Sequence, residues 1–213
     1  MGKTQYVNYW FGHAAGPQNA AGVPDDVRTI KFTIKKNRFF DEHRVFGRKF
    51  FRFSPIKSEI QDPALHRLVW NVPTTSIDDA SVIHNEIPGV AVSRNNGPGL
   101  MITPMISGCT FICTPIGHAV LMAHVKPKEG EGGRLHGLVK HGTINIRGGR
   151  DVAGTGSFGK GTGTLGRNEY NTFERSTLIG VRTQEKWCVF AKVQSAQDKT
   201  KGKILRVVEF FNG

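Results

Sequence analysis

The chain has 213 residues, 38% of them hydrophobic, enough to close a core without disulfide or metal staples. Its three cysteines cannot all pair, show no CxxC spacing and have no histidine-rich zinc pattern beside them, so all three read as reduced thiols. The net charge of +12 is uneven: between Arg28 and Lys57 ten Lys and Arg residues face only Asp41 and Glu42, a field suited to nucleic acid, an anionic membrane face or an acidic protein.

From the N-terminus, MGKTQYVNYWFGHAAG lacks a continuous apolar stretch, which argues against a cleaved signal, and Tyr6 stands where a myristoylation pattern wants Ser or Thr. Residues 12–26 are rich in Gly, Pro, Ala and Asn, and 1–26 reads as an N-terminal arm. Alternating or β-branched runs then predict strands over 27–34, 44–53, 67–72, 99–106, 109–114, 119–125, 138–147, 177–182, 186–194 and 204–211. Short helices are predicted over 58–68, interrupted by Pro63, and over 76–84. The Gly-rich segment 148–171 has too little apolar content for burial and reads as a long loop. No run approaches the roughly 20 apolar residues that a membrane-spanning helix needs. With no linker in view, 1–213 reads as a single domain of strand-dominated α+β class, with a sandwich-like β core and few short helices.

Two apparent motifs carry little. Residues 154–161, GTGSFGKG, approach the phosphate-binding pattern GxxxxGK[ST], but Gly161 replaces the hydroxyl that would hold magnesium and no apolar helix follows. Residues 48–53, RKFFRF, interleave cations with rings in the manner of a single-strand binder, yet core packing explains the aromatics more simply. His136 with His141, Asp78 with Asp79, and His13 with His84 lack metal or acid-base spacing, and Cys188 beside Trp187 reads as a packed thiol.

The segment 101–127, MITPMISGCTFICTPIGHAVLMAHVKP, is different. Two strand-like flanks meet at Pro115-Ile116-Gly117, which is hairpin-turn chemistry. Pairing symmetric about Ile116-Gly117 would set Cys109 directly opposite His124 on one face, where an imidazole can take the thiol proton and hold a thiolate as an ion pair. A three-residue loop would shift the register by one and send His124 to the other face, leaving Cys113 with His118 as the rival pair. Thr103 is placed to orient the imidazole. Gly108 would free its backbone N–H for a substrate carbonyl, with Ser107 and Thr110 flanking it as oxyanion support.

Thr103-x-x-Ile106-Ser107-Gly108-Cys109 followed by His124 resembles the active-site segment of the bacterial toxin glutamine deamidases: the cytotoxic necrotizing factor catalytic domain, Burkholderia lethal factor 1 and the chemotaxis receptor deamidases. The resemblance spans residues 101–127; Pro104 after the threonine and Ile106 in place of leucine depart from the family pattern. It implies a cofactor-free reaction in which Cys109 attacks a glutamine carboxamide, His124 protonates departing ammonia and water hydrolyses the thioester. It also implies a secreted or injected bacterial protein acting in a target-cell cytoplasm, on a small GTPase or a translation-initiation helicase. A cysteine protease, amidase or transglutaminase on the same pair is the alternative enzyme. A basic nucleic-acid-binding β module that owes nothing to Cys109 is the alternative outside enzymology.

Overall fold

A computed structural model describes residues 8–9, 27–35, 50–55, 66–77, 85–149, 152–184, 186–196 and 204–213. Contacts gather into two compact units, Met1–Val69 and Trp70–Gly213, and the division falls inside a strand instead of at a linker. In the first unit β1 (Asn8–Tyr9) lies parallel to β3 (Phe50–Pro55), and β2 (Val27–Lys35) pairs antiparallel with β3 from Ile30↔Pro55 to Lys35↔Phe50. β4 (His66–Asn71) carries the chain across the division. The predicted helix over 58–68 is therefore a strand at its end, where the apolar run Leu68-Val69-Trp70 belongs to the strand predicted over 67–72. Residues 58–65, most of the predicted helix at 76–84, and Asp78, Asp79, His13, His84, Arg48 and Lys49 lie outside the described residues.

The second unit continues with β5 (Thr74–Ser76), β6 (Glu86–Ile87), β7 (Val90–Ser93), β8 (Leu100–Ile102), β9 (Thr110–Ile116) and β10 (Ala119–Lys126). A helix, α1 (Gly132–Lys140), comes next, then β11 (Asn145–Ile146), β12 (Gly156–Lys160), β13 (Glu169–Tyr170), β14 (Glu174–Thr183), β15 (Lys186–Ser195) and β16 (Ile204–Asn212). One sheet runs β8-β14-β15-β16, all antiparallel, with Trp70 and Asn71 parallel to β8. The other runs β13-β12-β9-β10-β5, with β7 on the remaining length of β10. The fold is thus strand-dominated α+β, with one helix among the described residues.

The central sheet buries both faces, and β-strand alternation sorts its residues between them. On one face Phe111 of β9 and Phe158 of β12 meet Phe210 of β16, with ring centroids 6.3 and 5.5 Å apart, so the two sheets pack as a sandwich. On the other, Ile112, Ala123 and Val125 pack with Leu135 and Val139 of α1 and with Ile87, Ile144 and Ile146.

Two expectations change. Segment 148–171, read as an unburied loop, contains β12 and β13, and Phe158, Gly159, Glu169 and Tyr170 within it are buried. Its glycines are there for close approach: a Cβ on Gly159 would stand 2.6 Å from Thr110 Oγ1 and 2.7 Å from the His136 ring, and one on Gly156 2.7 Å from the Phe210 carbonyl oxygen. Helix α1, read as loop and strand, hid behind three glycines of poor helix propensity. Gly132 has its reason, since a Cβ there would meet the Gly108 carbonyl oxygen at 2.5 Å. Gly159→Ala should therefore lower stability by about 1–3 kcal/mol, the usual cost of overpacking, measured by urea unfolding. An unchanged midpoint would show that the helix is not pressed against β12 and β9.

Candidate active site

The β9–β10 hairpin decides which residues meet. Its loop is Gly117-His118, with Gly117 at φ 51°, so that Ile116 pairs with Ala119 and Phe111 with His124. The turn obeys the glycine-first rule for two-residue hairpin loops. Both predicted registers are thereby corrected, because the turn sits one residue later than Ile116-Gly117 and the pairing moves by two. Extended by one residue, this register sets Cys109 opposite Lys126, with His124 as its diagonal neighbour. A shift of two preserves the face for the paired residues, so Phe111 and His124 project toward the inter-sheet layer, while Thr110 and Ile112 project toward α1. Cys109 lies one residue before the first paired position of β9, and no hydrogen bond joins its thiol to His124 Nε2. The rival pair separates: Cys113 is buried opposite Met122, and His118 is exposed at the turn.

His124 is 1% exposed and held from one side. The Thr103 hydroxyl lies 2.8 Å from His124 Nδ1 and 2.7 Å from the carbonyl oxygen of Val72. A carbonyl can only accept, so Thr103 spends its proton on Val72 and must accept from Nδ1–H. Thr74 Oγ1, 3.2 Å from the same nitrogen, adds a second oxygen. The tautomer follows: Nδ1 carries the proton, and Nε2 keeps its lone pair, buried and with no partner among the described residues. Thr103, itself 2% exposed, thus does for this imidazole what a carboxylate does in a charged triad, without adding a charge.

Cys109 sits on an elbow fixed by a residue that sequence reasoning missed. Tyr170 Oη accepts the Gly108 N–H at 2.6 Å and donates to the Cys109 carbonyl oxygen at 2.8 Å. Its ring stacks on Phe158 with centroids 5.7 Å apart, and Arg206 Nη2 holds the preceding carbonyl, that of Glu169, at 2.6 Å. Gly108 adopts φ 142°, a conformation that side chains rarely tolerate, which is why glycine precedes the thiol. Its N–H, expected to face a substrate carbonyl, is engaged by Tyr170. The Ser107 N–H points to the thiol instead. Thr110, expected as oxyanion support, directs its side chain to the helix face near His136. A lone tyrosine in GRNEYN gives no signal of this clamp, and Thr74 is equally silent.

Electrostatics favour a neutral resting pair. Burial raises the Cys109 thiol above its ordinary value, opposed by the Ser107 N–H and the Lys126 ammonium. Burial also lowers His124 to about 4. The anticipated thiolate–imidazolium ion pair is therefore replaced by a thiol and a neutral imidazole. Ser107 is exposed and Cys109 half-buried, so the elbow opens to solvent while the imidazole stays dry.

Elsewhere, GTGSFGKG is largely β12 itself and not a phosphate loop. Cys188 is half-buried in β15, opposite Val181 and Asn212. Among the described residues no three His, Cys, Asp or Glu side chains converge as metal ligands. No protein-family model matches the sequence, and no curated protein matches it.

Because the folded thiol is raised, its thiolate fraction grows only as pH climbs past the ordinary thiol range. Iodoacetamide labelling of Cys109, read by peptide mass, should climb steadily into the alkaline region. A labelling plateau already present at pH 5 to 6 would reveal a preformed ion pair and contradict the neutral site.

Proposed function

We propose that the chain is a protein-glutamine deamidase of the bacterial toxin or effector kind, using Cys109 as nucleophile, His124 as general base and acid, and Thr103 as the group that orients His124. The observation that carries this reading is the His124 ring, proton fixed on Nδ1 by Thr103 and bare Nε2 buried, at a register position diagonal to Cys109 when the pairing is extended by one residue. The Thr103, Ser-Gly-Cys and His124 pattern shared with the toxin deamidases selects the reaction among those open to a thiol and an imidazole.

In this reading the Cys109 proton passes to His124 Nε2 as Sγ bonds to the carboxamide carbon, since neither group is charged beforehand. The imidazolium that forms is relieved through Nδ1–H to Thr103 and Thr74, and then protonates the departing ammonia. Water, deprotonated by the restored Nε2, hydrolyses the thioester to leave glutamate. The low basicity of His124 suits the return step, because an acidic imidazolium gives its proton up readily. Tyr170, bonded to the backbone on both sides of the Gly108–Cys109 peptide, would keep the nucleophile in line through both steps. The target would be a regulatory protein of a eukaryotic cell, such as a small GTPase or a translation-initiation helicase, reached by secretion or injection.

Incubation of a eukaryotic lysate with the wild-type protein should release ammonia and convert one glutamine of one protein to glutamate. Cys109→Ser and His124→Ala should each reduce the rate by about 100-fold or more, and Thr103→Val by less. Ammonia release that survives Cys109→Ser would reject the mechanism; a cleaved target in place of a deamidated one would turn it into a protease.

A further inference from the structure

The opposite face of the central sheet carries a second ordered array. Ser157 pairs with Ile112 in register and so shares the α1 side of the sheet, away from Phe111 and the Cys109 elbow. There His136, 1% exposed, reaches from α1 so that Nε2 lies 3.3 Å from Ser157 Oγ. On its other side Nδ1 lies 3.7 Å from Glu169 Oε1. Glu169 is itself tethered, accepting from Lys140 Nζ at 2.8 Å and from the Gly166 N–H at 2.8 Å. All three side chains line one cavity of about 720 Å³, within the size range of small-molecule sites.

We propose that this cavity is a second active site, in which Ser157, His136 and Glu169 hydrolyse small carboxylic esters. The order of groups is nucleophile, base and orienting carboxylate; the 3.3 Å Oγ–Nε2 separation is a hydrogen bond, the 3.7 Å Nδ1–Oε1 separation is slightly longer than one, and catalytic hydrogen bonds of this kind tighten when substrate is bound. Burial keeps His136 neutral, lowered to about 4, and the Glu169 carboxylate beside Nδ1 favours the proton there, which turns the Nε2 lone pair toward Ser157. Burial works against ionisation of Glu169, but Lys140, the Gly166 N–H and His136 outweigh it and hold the carboxyl below its ordinary value. Val139, Val152 and Phe210 on the wall offer apolar surface to an acyl chain, and Arg167 offers a cation to the developing oxyanion. Two wall cations, Lys140 and Arg167, against two wall carboxylates, Glu169 and Glu209, leave no net charge, which favours an uncharged ester.

The step balances within these groups. Ser157 Oγ bonds to the acyl carbon, its proton moves to His136 Nε2, and the departing alkoxide takes that proton as the C–O bond breaks. Water then gives its hydroxyl to the acyl carbon and its proton, through His136, back to Oγ.

The test uses p-nitrophenyl butyrate with full-length Cys109→Ala protein, so that thiol-driven turnover cannot contribute. Saturable hydrolysis is expected, falling about 100-fold or more when Ser157→Ala is added. A fluorophosphonate probe applied to wild-type protein should form an adduct that peptide mass maps to Ser157, a readout that needs no variant to fold. Absence of saturable turnover, turnover insensitive to Ser157→Ala, or no adduct at Ser157 would each overturn the proposal, and none of them bears on glutamine deamidation.

Discussion

One hydroxyl governs the candidate site. Thr103 has a single proton, and the Val72 carbonyl 2.7 Å away claims it, so toward His124 at 2.8 Å the oxygen can only accept. That constraint turns a symmetric ring into a directional one, protonated at Nδ1 and bare at Nε2. Its force depends on dryness, because in water either tautomer would find partners. Here the ring is 1% exposed and Thr103 2%. The three elements it joins, the strand ends at Val72 and Thr103 and the middle of β10, come together only if the two sheets pack face to face.

The Cys109 elbow is placed by a separate device. Tyr170 bonds the backbone on both sides of the Gly108–Cys109 peptide, while Phe158 stacks on its ring and Arg206 holds the carbonyl beside it. The imidazole is thus positioned from β5 and the Thr103 strand end, and the Cys109 backbone from β13. Burial opposes charge at both, raising the Cys109 thiol and lowering His124, so the thiol carries little thiolate at neutral pH.

Much of this was legible in the chain. Ile30, Phe32 and Ile34 announce a strand by alternation, the β9 and β10 runs and the long strands near the C-terminus by their apolar and β-branched content, and Thr103, Cys109 and His124 stand out by residue type and spacing. What sequence could not reveal depends on contacts distant along the chain. The turn moved by one residue because Gly117, not Ile116, takes the positive φ, and a Pro-x-Gly triplet permits both. Helix α1 and strand β12 were hidden by glycines, several of which mark close approach: Gly159 to Thr110 and His136, Gly156 to Phe210, and Gly132 to the Gly108 carbonyl. Tyr170 lies 61 residues from the carbonyl it grips, and no local pattern links them.

The central claim is the tautomer of His124, and long-range proton–nitrogen correlation NMR of the imidazole reads it without substrate, target or activity. At pH 7 the spectrum should show His124 protonated at Nδ1 and unprotonated at Nε2, and the same pattern should persist at pH 5, since the group titrates only near 4. Protonation at Nε2, or an imidazolium already formed at pH 6, would contradict the account at its root, because Thr103 would then not be setting the direction of the base.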